Sequence, residues 1–322
     1  MNKAIKITIL ILVGLMLIGL GSALGGKFIF KEYFFKDSGM KALYGNNKYL
    51  NKKIQKLKKM ERDLEIKKQK LDEDWDFTSD NPISLKTGSL KGIKNINISV
   101  KAGHLQIETS GDSDYIEVIT ENIDEGNFLI KEKGDTLMFN DVTPKSFIKN
   151  IWTWNNRHIQ IKMIIPANFA IEKLTVGTGA GRSIIKEIKT EKLILDCGVG
   201  DVIFKYSEIK NKTLINAGVG TIRITDSVLN NLNFNSGVGS FEFHGKLYGK
   251  NRIEGGIGEI NMMIENNIED YKFDFDMGLG SITVNGDNLK SFGKHIGNKN
   301  SDAPNSIFIE GGLGRINVEF AE

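Results

Sequence analysis

The sequence predicts an all-β protein, a β-solenoid of rungs about 20 residues long, preceded by a transmembrane helix and a helical stalk. Three observations predict it. Gly-X-Gly recurs seven times between residues 177 and 314, a charge-free apolar run fills residues 7–26, and a lysine-rich stretch with leucines every seven residues fills 41–71. Self-similarity at a fixed period of this length marks units that bury their apolar faces only by stacking on their neighbours. The 322 residues contain 35 Gly and only 4 Pro, which suits a repetitive β protein.

The N-terminal segment, 1–26, reads as the anchor. Twenty uncharged residues are long enough to span a bilayer, and Lys3 and Lys6 precede them. A cleaved signal peptide ending near Gly21-Ser22-Ala23 is the alternative. The retained anchor is preferred because the apolar run is longer than a typical signal core. Lys27, Lys31, Lys36 and Lys41 follow the run, so charge does not assign the sides of the membrane.

Residues 27–80 read as a basic helical stalk or linker. Leu43, Leu50, Leu57, Leu64 and Leu71 keep a seven-residue period, while Glu61 and Lys68 spoil the second seam of a strong zipper. The stretch 41–71 holds 11 Lys/Arg against 3 Asp/Glu. Its net +8 exceeds the +3 of the whole chain, so the remainder is mildly acidic. Lys52, Lys53, Lys56, Lys58 and Lys59 are the candidate contacts to anionic lipid head groups or wall polymers. A solvated spacer is the competing reading.

From residue 90 to 322 the pattern is β. Residues 90–175 read as an irregular cap and first coils. Ile96, Ile98, Val100, Ala102-Gly103, Leu105 and Ile107 form a weak eighth copy of the rung, with Lys101 in the place of its first glycine. Strand-like runs follow at 115–118, 128–130, 136–139 and 158–165, the last ending at Pro166. An end cap is required because an exposed sheet edge templates aggregation.

Residues 176–322 carry the regular rungs. The glycines are Gly179 and Gly181, Gly198 and Gly200, Gly218 and Gly220, Gly237 and Gly239, Gly256 and Gly258, Gly278 and Gly280, Gly312 and Gly314. First glycines are spaced by 19, 20, 19, 19, 22 and 34 residues. Counted from the first glycine of each copy, positions −3, −1 and +1 are apolar or small, and +4 and +6 are apolar on the opposite parity. Each rung therefore reads as strand, glycine corner, strand and polar turn, since glycine takes a positive φ without strain. Positions −3, +1, +4 and +6 are expected to be buried in every rung, Val219, Ile222 and Ile224 among them. The 34-residue gap predicts a loop over 286–305 projecting from an otherwise regular coil.

The residues that could carry catalytic or metal chemistry do not fall into a recognisable site pattern. Gly-X-Gly here precedes a strand and recurs seven times, which argues against a phosphate loop at a helix N-terminus. Gly255-Gly256-Ile257-Gly258-Glu259 is like a calcium β-roll, but the acid at +3 appears only in Asp201 and Glu259. His104, His158, His244 and His295 lack metal-ligand spacing, and His244 is expected to face outward. The single cysteine, Cys197, falls on a small inward position and reads as a buried thiol. Asp196, Glu254, Asp276 and Glu310 share position −2, interrupted by Asn216 and Asn235. A solvated face is the ordinary reading of that column, and paired catalytic carboxylates the sharper one. Trp152 and Trp154 read as packing on the cap, with a sugar or membrane contact as the alternative.

Four segments together resemble the bacterial putative-adhesin β-strand repeat family. They are Ile96-Asn97-Ile98-Ser99-Val100 with Ala102-Gly103-His104-Leu105-Gln106-Ile107, then Gly134-Asp135-Thr136-Leu137, then Ile161-Lys162-Met163-Ile164-Ile165-Pro166, and the repeated Gly-Val-Gly. The match covers about residues 90–320 and leaves the stalk outside. The family includes accessory proteins encoded beside envelope-stress regulators. The resemblance implies a single-pass cell-membrane protein with an extracytoplasmic solenoid, and it carries no catalytic motif. The expected function is a non-enzymatic envelope protein that binds a polymer or protein along the solenoid, without cofactor, metal or nucleic acid. An accessory or sensor of an envelope-stress system is the alternative, and a polysaccharide-active β-helix enzyme the more distant one.

Overall fold

The structure is a computed structural model that describes residues 82–123, 125–144, 159–298 and 302–321. The expected transmembrane segment, the stalk with its five candidate lysines, and Trp152 and Trp154 lie outside the described residues. Among the described residues there is no α-helix, and no helix long and apolar enough to cross a membrane.

Among the described residues, fourteen strands form one sheet. They are β1 (Ile83–Lys86), β2 (Asn95–Thr109), β3 (Glu117–Glu121), β4 (Phe128–Lys133), β5 (Thr136–Asp141), β6 (Gln160–Ile165) and β7 (Ile171–Lys186). After them come β8 (Lys189–Lys205), β9 (Glu208–Asn230), β10 (Leu232–Tyr248), β11 (Lys250–Asn267), β12 (Tyr271–Val284), β13 (Asp287–Gly297) and β14 (Asn305–Ala321). Their spatial order is β1-β3-β6-β2-β7-β8-β9-β10-β11-β14-β12-β13, with β5 paired to β2 and β4 to β5. The long strands β2, β7 to β12 and β14 are the rungs. They pair in parallel with equivalent positions opposite one another, for example Val219 with Val238 and Gly220 with Gly239. The weak eighth copy takes its expected place, with Ala102 opposite Ala180 and Gly103 opposite Gly181. Beyond β2 the stack becomes irregular. The first part of β2 pairs with β5 and the last part with β6, so two short strands cover one rung.

The core follows from the apolar parities on either side of the corner. Leu195, Ile215, Phe234, Ile253, Phe275 and Ile309 at −3 are fully buried, as are Val202, Ile222, Phe241 and Ile316 at +4. Phe204, Ile224 and Val318 at +6 join them. Each such side chain contributes roughly 1.5–3 kcal/mol. Phe234 and Phe241 stack across the interior at 4.1 Å between ring centroids.

Position +1 corrects the expectation. Val199, Val238, Ile257, Leu279 and Leu313 are exposed, and Val219 is half-buried. The change of phase begins at the first glycine. A Cβ on Gly198 would lie 2.4 Å from the carbonyl oxygen of Gly179, so this position points along the stack, neither inward nor outward. Position +1 is thereby turned to solvent. The second glycine, with φ of +141° at Gly220, again points along the stack and restores the inward phase at +4.

The expected loop over 286–305 is a second correction. Asn285 and Gly286 both take positive φ, 45° and 82°, and turn the chain into β13, which pairs antiparallel with β12. An Asn-Gly pair in that conformation is the two-residue connection whose twist suits a hairpin. The last rung then enters out of order, because β14 lies between β11 and β12 and pairs in parallel with both.

Candidate functional site

Three columns run lengthwise along the stack at the corner. The first is position −2. In spatial order it reads Ser99, Gly177, Asp196, Asn216, Asn235, Glu254, Glu310 and Asp276, each opposite the next in register. Adjacent strands are about 4.8 Å apart, so β14 brings Glu254, Glu310 and Asp276 into one consecutive run. The asparagines link the column by side-chain hydrogen bonds. Asn216 Nδ2 donates to Asp196 Oδ1 at 2.7 Å, and Asn235 Nδ2 donates to Asn216 Oδ1 at 3.2 Å. Arg252 ion-pairs with Glu254, and its Nη2 lies 3.7 Å from Glu310 Oε2. Its guanidinium sits 4.3 Å from the centroid of the Phe308 ring on the next strand.

The second column is a strip of glycine backbone. The seven first-position glycines are all exposed. Beside them the small residues at −1, such as Thr178, Cys197, Ala217, Ser236 and Gly255, leave a groove. With the −2 column and residues of β2 they line a volume of about 1150 Å³ that extends over seven strands, from Ser99 and Lys101 to Glu310 and Gly312. Glycine is required in the strip because the rungs touch there. A Cβ on Gly179 or Gly218 would fall 2.3 Å from the carbonyl oxygen of Lys101 or Gly198 on the preceding rung.

The third column is the outward aliphatic ridge at +1. Ala180, Val199, Val219, Val238, Ile257, Leu313 and Leu279 follow one another in register. The ridge passes through the out-of-order strand without a break. Sequence reasoning recognised these residues but assigned them to the core. Their solvent exposure depends on which glycine carries the change of phase.

Nothing in this arrangement supplies a nucleophile with a base. Cys197 lines the groove, but it is buried and its Sγ lies 3.9 Å from Gly200 O. Burial pushes its thiol above the ordinary range. Reactive thiols have the opposite shift. His244 faces outward as expected, 3.8 Å from Asp226 and 3.4 Å from Glu265. Among the described residues no group of three or more His, Cys, Asp or Glu is placed to hold a metal ion.

The columns define a repeat protein with a long lateral surface. The Toastrack DUF4097 family profile matches residues 34–319, and the chain belongs to that family. The match begins at residue 34, so the lysine-rich stretch 41–71 read as a stalk falls inside the family region, contrary to the expectation from sequence. Among solved structures, a protein described as a putative cell adhesion protein from Clostridium sporogenes is 15% identical, with a TM-score of 0.35. The alignment covers 74% of this chain and 100% of that one. A putative adhesin from Bacteroides fragilis is 11% identical over 74% of this chain and 98% of its own, with a TM-score of 0.37. A putative lipid binding protein from Parabacteroides distasonis is 15% identical over 76% and 98%, with a TM-score of 0.34. No curated protein matches the chain.

Proposed function

We propose that this protein is a non-enzymatic, membrane-anchored component of the bacterial cell envelope whose solenoid binds an envelope polymer or protein along its groove. The observation that carries the reading is the continuity of the three columns. Polar column, glycine strip and aliphatic ridge all keep register through β14, although that strand is out of sequence order. A core requires only that the inward positions align. Continuity of the outward ones suits a linear partner. The uncharged residues 7–26 supply the anchor, and the net +8 of residues 41–71, with Lys52, Lys53, Lys56, Lys58 and Lys59, draws the stalk to anionic head groups or wall polymers.

The test is co-sedimentation of the full chain, in nonionic detergent, with isolated cell-envelope fragments. It is compared with a variant carrying Val238→Lys and Ile257→Lys. Both residues are exposed, so the fold should survive. The wild-type chain should sediment and the variant should stay in solution. Equal sedimentation would remove the ridge beside the groove from the binding surface. Release of soluble sugar or peptide from the fragments would overturn the non-enzymatic assignment.

A further inference from the structure

The aliphatic ridge calls for an explanation that packing does not provide. Position +1 is outward, with Val238 at 45% and Ile257 at 43% exposure, yet all seven regular copies place Ala, Val, Ile or Leu there. The outward −2 position of the same rungs is polar in six of seven copies. Solvent-facing aliphatics that repeat in a line, rather than scatter singly, mark an interaction surface. Across the exposed glycine strip, the ridge is flanked by the acidic run Glu254, Glu310 and Asp276, of which Glu254 is ion-paired with Arg252 while Glu310 stays 57% exposed.

The spacing selects the shape of the occupant. From Ala180 to Leu279 the ridge takes six steps of about 4.8 Å, or about 29 Å. A helix lying along it advances about 5.4 Å per turn and offers one apolar residue per turn at i, i+3 or i+4 and i+7. The two periods drift by only about 0.6 Å per turn and stay within half a rung of one another over about four turns. An extended strand repeats its face every 6.6 Å or so and falls out of step within two or three rungs. The glycine strip has no side chains to hold the helix away. Basic residues on the flank of the helix can therefore reach the carboxylates, whereas an anionic membrane surface would be repelled by them.

Resting on the binding role above, we infer that the ridge and its acidic flank form a docking site for an amphipathic helix of a partner protein, with one aliphatic residue per turn and Lys or Arg along one side.

The probe is a synthetic amphipathic helix of about five turns, with leucines on one stripe and lysines beside it. It carries a photo-crosslinker on the leucine stripe and is added to the full chain in nonionic detergent. Cross-links should map to Val199, Val238, Ile257 and Leu313. A variant with Val238→Ser, Ile257→Ser and Leu313→Ser should bind about tenfold more weakly or worse, at unchanged melting temperature. Glu254→Gln with Glu310→Gln and Asp276→Asn should weaken binding and flatten its salt dependence. Cross-links elsewhere, equal affinity for a scrambled peptide, or full binding by the ridge variant would overturn the assignment. So would concentration-dependent self-association of the chain that the ridge variant abolishes, which would give the ridge to a second copy. Failure of the peptide with retained sedimentation on envelope fragments overturns the helix alone, whereas loss of both removes the binding role too.

Discussion

Met277 occupies the space that a side chain at Gly311 would need. A Cβ built on Gly311 would lie 2.8 Å from both Sδ and Cε of Met277, the large residue at −1 of the neighbouring rung. At Gly314 the obstruction is different: a Cβ there would fall 1.7 Å from the carbonyl oxygen of Gly258, and φ is +147°. The end of a methionine can swing aside, whereas a backbone carbonyl in a parallel ladder cannot. Gly311→Ala should therefore cost about 1 kcal/mol or less. Gly314→Ala should cost about 3 kcal/mol or more, from clash and strained φ together. Thermal unfolding of the two variants checks this, and equal losses would remove the distinction between the two kinds of glycine.

Val219 and Ile222 lie three residues apart and face opposite ways. Ile222 is 1% exposed, and Val219 is half-buried on the ridge. Ile222→Ala should cost about 2–5 kcal/mol through the lost burial and the cavity left behind. Val219→Asp should cost under about 1 kcal/mol, because its carboxylate keeps access to water. Chemical denaturation decides the matter. A large loss at Val219 would return position +1 to the core.

Much of the fold was legible in the repeat itself. The period, the rung boundaries, the eighth copy at 95–109 and the inward residues at −3, +4 and +6 all follow from glycine spacing and two apolar parities. The direction of Val219 was not, because both glycines of a corner can absorb a change of phase and only the contacts between rungs decide. The hairpin had a sequence signal in Asn285-Gly286, which directly follows the alternating Ser281-Ile282-Thr283-Val284. The insertion of β14 had one too. Ile253-Glu254-Gly255-Gly256-Ile257-Gly258-Glu259-Ile260-Asn261 and Ile309-Glu310-Gly311-Gly312-Leu313-Gly314-Arg315-Ile316-Asn317 are nearly the same segment, differing by Ile for Leu and Glu for Arg. These two rungs are neighbours in space and set Glu259 opposite Arg315. The acidic run of the candidate site exists only because of that placement.

Removal of β14 tests its role as the link between β11 and β12. In a stacked array each rung depends on its immediate neighbours. A chain ending at residue 304 leaves β12 and β13 paired only to each other, and it exposes the edge of β11. Hydrogen exchange should show residues 271–297 losing protection while β7 to β10 keep theirs. The bared edge should also promote self-association. Retained protection over 271–297 would mean that β12 can pair directly with β11, and the inserted strand would then be dispensable.

Glu108 ties the first rung to its neighbours on both sides. Lys162 of β6 approaches its Oε1 at 2.9 Å, and Lys186 of β7 approaches Oε2 at 3.1 Å. Gln106 Nε2 donates to Oε2 at 2.8 Å. Burial by itself raises the carboxyl pKa and is the largest single influence. The hydrogen bonds from Lys162, Gln106 and Lys186 together outweigh it, so the pKa lies below the ordinary 4.5. A carboxyl whose folded pKa is depressed binds its proton more readily in the unfolded chain. Its stabilising contribution is therefore complete above the unfolded value and is lost as pH falls through the folded one. Glu108→Gln should lower stability at pH 7 by about 1 kcal/mol, a figure kept modest because the group is not wholly shielded from solvent. At pH 3 the difference between variant and wild type should shrink. Urea unfolding at the two pH values measures both gaps, and a gap of equal size at pH 3 would show that Glu108 acts through packing and not through its charge.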